Sequence, residues 1–96
     1  MLTSEEVSQI VEAVASANLT PSVVRTVVTQ PTTDSQGGDA LRITIVVAPG
    51  VATWVPGNAV LDTLIMTQDR LREAGEHRLP IIEYAAEDEL EDVGDP

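Results

Sequence analysis

Leu41-Arg42-Ile43-Thr44-Ile45-Val46-Val47-Ala48 is the stretch on which the fold turns. Leu41, Ile43, Ile45 and Val47 fall on one side of an extended chain and Arg42 and Thr44 on the other. That is the period-two pattern of a strand with one buried face. Upstream, residues 22–29 are almost wholly β-branched and are bracketed by Pro21 and Pro31, which predicts a second strand. The polar segment between them, residues 30–39, contains Gly37 and Gly38 and suits a long hairpin loop. An antiparallel pair with one buried face is expected.

Helices flank this pair. Thr3 and Glu6 have the spacing of a capping box, and Leu2 and Val7 that of a hydrophobic staple. Val7, Ile10, Val11, Val14 and Ala17 then recur on one face at the helical period. Asn18 is positioned to close the helix in the left-handed conformation, and Thr20-Pro21 stops its continuation. Downstream, Pro49-Gly50 and Pro56-Gly57 punctuate a short segment that holds Trp54. Asn58 is the expected N-cap of a second helix running to about residue 74. Its apolar stripe reads as Leu61, Leu64, Ile65 and Leu71, with Val60 at the edge, and Gly75 ends it. Residues 80–85 have strand character and follow that helix, as the closing strand of a βαβ unit would. The prediction is one small α+β domain over residues 1–86 in the order α-β-β-α-β. It consists of an antiparallel hairpin plus a short third strand, with two helices on one face. Residues 87–96 are expected to form a disordered acidic tail.

Composition narrows the function more than any motif does. Sixteen Asp and Glu stand against five basic residues, all arginine, for a net charge of −11. Such a field repels nucleic acid and anionic membranes and attracts basic partners. The absence of cysteine and lysine removes thiolate and Schiff-base chemistry and the phosphate-loop lysine. The acidic start and the lack of a long apolar run predict a cytoplasmic protein. Arginine used to the exclusion of lysine, beside much Ala and Val, fits a GC-rich bacterial genome.

Residues able to carry chemistry are few. His77 is the one histidine, and Gly75 separates it from Glu73, so a helical ligand pair is not expected. Asp34 and Asp39 flank a loop without the order of a calcium site, and no metal or cofactor is expected. Asp62, Asp69, Glu73 and Glu76 form an acidic stripe on the second helix, away from its apolar stripe. Gln68 and Arg72 fall inside the apolar sector. Arg72 there either snorkels at the core edge, pairs with an acid such as Glu83, or anchors an interface. Trp54, in its loop, either folds back on the core or makes contact with another molecule.

These readings predict a non-catalytic bacterial protein–protein interaction module. Its partner is expected to be a basic protein, as for an inhibitor of the antitoxin type or a small accessory subunit. Asp62, Asp69, Glu73, Glu76, Arg72 and Trp54 are the candidate contact residues. The alternative is a self-associating structural or regulatory domain that forms a homodimer through a sheet edge. A lesser alternative is a small hydrolase using Asp or Glu with His77.

Overall fold

The computed structural model describes residues 1–19, 22–50 and 56–87. Trp54 and most of the expected acidic tail lie outside these residues. The elements are α1 (Ser4–Leu19), β1 (Val24–Thr33), β2 (Asp39–Val47), α2 (Gly57–Glu73) and β3 (Leu79–Ala86). The three strands form a mixed sheet in the order β1-β2-β3. β1 runs antiparallel to β2, and β3 runs parallel to it. The β2-α2-β3 connection is thus the βαβ unit expected from the helix lying between those two strands. This is the α+β order read from the sequence.

Register explains the core. Val27 and Thr29 of β1 pair with Ile45 and Ile43, and Ile82 and Tyr84 of β3 pair with the same two residues from the other side. All of these point to the face that both helices cover. Val7, Val11, Ala15 and Leu19 of α1 and Ala59 and Leu71 of α2 join Leu41, Ile43, Ile45 and Val47 in one buried cluster. Each fully buried Ile or Leu contributes roughly 1.5–3 kcal/mol, so the aliphatic residues hold the domain without a phenylalanine. On the opposite face Val46 is also buried, between Thr26 and Ala85 in the neighbouring strands.

The hairpin loop is shorter than expected because both strands run further. β1 continues through Pro31 to Thr33, and β2 begins at Asp39. An edge strand tolerates a proline because part of its N–H groups face away from the sheet. Asp34 then closes a tight loop: its Oδ1 accepts from the N–H groups of Gln36 and Gly38, both at 2.8 Å. Gly37 adopts φ 82°, and a Cβ on Gly38 would meet Asp34 Oδ2 at 2.8 Å.

Helix ends follow the local signals in two cases and depart from them in two. Thr3 and Glu6 form the reciprocal capping box at 3.0 and 3.1 Å. After α2, Gly75 (φ 90°) donates to the Arg72 carbonyl and Glu76 to the Leu71 carbonyl, a Schellman closure. Asn18, by contrast, stays helical. Its Nδ2 donates to the Val14 carbonyl at 3.0 Å, and the helix runs to Leu19. Asn58 does not cap α2 either. The helix begins at Gly57, and the Pro56 carbonyl receives the Ala59 N–H at 3.0 Å. A proline before the helix fixes φ and places that carbonyl without help from a side chain.

Candidate functional site

Three of the predicted contact residues, Asp62, Asp69 and Glu73, share one exposed ridge of α2. At about 100° per residue they fall within one narrow sector of the helix. Among the described residues none of the three forms an ion pair.

The fourth, Glu76, is not on that ridge. Gly75 takes the chain out of the helix, and the Glu76 side chain turns inward, leaving the residue 3% exposed. Its carboxylate receives Arg78 Nε at 2.9 Å and an Arg78 terminal nitrogen at 2.8 Å. It also accepts from the N–H of Arg78 and of Leu2, both at 3.0 Å. Arg78 in turn donates to the Leu2 carbonyl at 2.9 Å. Glu76 therefore clasps the start of the chain to the start of β3. The Arg78 guanidinium outweighs the cost of burial and holds this carboxyl far below the usual range.

The apolar side of α2 is rotated from its expected position. The helix buries Ala59, Thr63, Thr67 and Leu71. Leu61 and Ile65, expected in the core, are 55% and 47% exposed, and Val60 is 38% exposed. The centre of the buried stripe lies roughly 115° from the one read in the sequence, at 3.6 residues per turn. Small side chains are selected where α2 meets α1 and β3. Met66 on this flank reaches Asn18 of α1 at 3.4 Å, and the Thr63 hydroxyl folds back on the Ala59 carbonyl at 2.7 Å.

The rotation accounts for Gln68 and Arg72. Both lie in the sector of Leu61 and Ile65, which faces away from the core, and Arg72 is exposed. Among the described residues it does not pair with Glu83. That acid sits on the helix-free face of the sheet, where it accepts from Arg42 Nε at 3.0 Å and from the Thr44 hydroxyl at 2.8 Å. Among the described residues Arg70 and Arg72 make no ion pair.

A second grouping surrounds His77. A cavity of about 250 Å³ is lined by Met1, Asp39, Gly75, Glu76, His77 and Arg78. Glu76 and Arg78 are committed to each other and to Leu2 there, so neither is available as a base or an anion receptor. His77 is exposed, and no group of three His, Asp or Glu among the described residues is placed to hold a metal ion.

Leu61 and Ile65 were the residues that pattern reading misplaced. The signal that could have separated them from the core was the pair Thr63 and Thr67 with Ala59 and Leu71, a continuous row at every fourth position. No helix among the described residues is long and apolar enough to cross a membrane. No protein-family model matches the chain, and neither does any curated protein or solved structure.

Proposed function

We propose that this chain is a non-catalytic docking module that binds a basic protein through α2, as an inhibitor of the antitoxin type or an accessory subunit does. The observation that carries the reading is the adjacency, on one helix, of two exposed large apolar residues and three acids that form no ion pair among the described residues. Leu61 and Ile65 supply the apolar anchors that hold a complex, and Asp62, Asp69 and Glu73 supply the field that steers encounter. Arg72 adds an exposed guanidinium suited to a partner acid or an aromatic face. The net charge of −11 gives the whole molecule the same sign as the ridge.

The test is affinity capture with the native chain and with Asp62→Lys/Asp69→Lys/Glu73→Lys, followed by kinetics on the protein captured. A basic protein should be retained by the native chain and lost from the variant. Charge reversal should mainly slow association, steeply with falling salt dependence, whereas Leu61→Ser should mainly speed dissociation. Equal retention by both chains would sink the reading.

One observation favours a second reading, self-association. β3 is an outer strand, and its Leu79 and Ile81 are 48% and 40% exposed. The β1 edge carries a bulge between Val24 and Thr26 and a proline, both of which discourage pairing. β3 has Pro80 only near its start. Sedimentation at rising concentration separates the two readings.

A further inference from the structure

We infer that the element docking on α2 is a basic amphipathic α-helix, an inference that rests on the docking reading above. Leu61, Ile65, Gln68 and Arg72 follow one another at intervals of four, three and four residues. That alternation keeps them in one stripe nearly parallel to the helix axis, over roughly 16 Å at 1.5 Å per residue. It is the pattern into which a second helix inserts its side chains. A strand offers one side chain about every 7 Å on a given face and matches the four-three alternation poorly. The remaining faces of α2 are already used, one by α1 and the sheet and one by the acids.

Charge decides which helix fits. A second copy of α2 packed antiparallel would set Asp62 and Asp69 against Asp69 and Asp62 of its mate. Packed parallel, it would set Arg72 against Arg72. Both arrangements place like charges at the seam. A helix with Lys or Arg along one flank meets Asp62 and Asp69, which are seven residues apart and therefore on the same flank of the stripe. Leucine-like residues of the partner would face Leu61 and Ile65, and an acid or amide would face Arg72 and Gln68. Next to that polar half of the stripe a groove of about 160 Å³ opens between Gln68, Arg72, Leu79 and Pro80, with room for one partner side chain.

The experiment uses three synthetic peptides, each about three heptads long, titrated into the full chain and followed through its amide resonances. The first has leucine at the two seam positions of each heptad and lysine on the flanks. The second replaces those lysines by glutamate. The third keeps the composition of the first but alternates leucine and lysine at the strand period. The first should bind, shift the amides of α2 and gain helicity, with at least tenfold lower affinity for Asp62→Lys/Asp69→Lys and for Ile65→Ser. The second should bind at least tenfold more weakly. Equal or tighter binding of the third peptide, or shifts confined to β3, would overturn the helical partner while leaving a basic one. Binding of the first that charge reversal leaves unchanged would overturn the acidic docking reading itself. If neither lysine peptide binds, both fall.

Discussion

Glu76 shows how one residue departs from a periodic reading. Counted along the helix, it continues the spacing of Glu73, but Gly75 at φ 90° ends the helix one residue earlier. Angular position is undefined past that point, and the buried clasp with Arg78 and Leu2 has no local signature. Its side chain is 1% exposed and that of Arg78 is 12% exposed. Glu76→Gln should cost about 3 kcal/mol at pH 7, because a largely buried guanidinium loses its counterion. The folded-state pKa is depressed, so this contribution is complete above the ordinary value of 4.5 and is lost as pH falls below it. Urea unfolding of both proteins between neutral pH and pH 3 should therefore show the gap shrinking with acid; a constant gap would contradict the pairing. The capping box was legible because its partners are three residues apart. Its loss in Thr3→Ala should lower stability by about 1 kcal/mol, read from the same urea curves.

At the scale of elements, α2 was legible in its span and hidden in its rotation. Apolar residues occupy well over half its circumference (Ala59, Val60, Leu61, Leu64, Ile65, Met66 and Leu71), so composition allows more than one buried face. The neighbours choose between them, and they choose threonines where the approach is close. Thr63 satisfies its hydroxyl on the Ala59 carbonyl, whereas the buried Thr67 hydroxyl has no partner among the described residues. Burial raises the pKa of the Tyr84 hydroxyl, and the neighbouring Thr63 hydroxyl acts against that rise. An unmet buried hydroxyl carries a desolvation cost that an isosteric methyl removes. Thr67→Val should thus raise stability by about 1 kcal/mol with the fold unchanged; a lower urea midpoint would mean that a water completes the site. β1 illustrates the converse. Pro31 reads as a terminator in isolation, and only its place at the sheet edge lets the strand pass through it.

The molecule as a whole combines a fold legible from order and spacing with a surface dominated by one sign of charge. β2 and β3 run parallel because a helix spans the distance between them, a fact of connection length that the sequence contains. Which helix face meets which strand depends on packing between distant segments. Sixteen acids with five arginines repel one another at neutral pH, so modest salt should raise the thermal midpoint. A fall instead would mean that the Arg42–Glu83 and Arg78–Glu76 pairs outweigh the net repulsion.

The clasp between Leu2 and Glu76 joins residues 74 positions apart, and its Arg78–Leu2 bond spans 76. Closing so long a loop before other contacts exist is entropically unfavourable, so these bonds are expected to form late in folding. A late contact governs how long the native state lasts rather than how fast it is reached. Stopped-flow mixing of Glu76→Gln should show unfolding accelerated at least tenfold and refolding nearly unchanged. On this expectation the lifetime of the folded chain rests on a clasp that adjoins the C-terminal end of the proposed docking helix, since Glu76 and Arg78 line the same groove as Gln68 and Arg72.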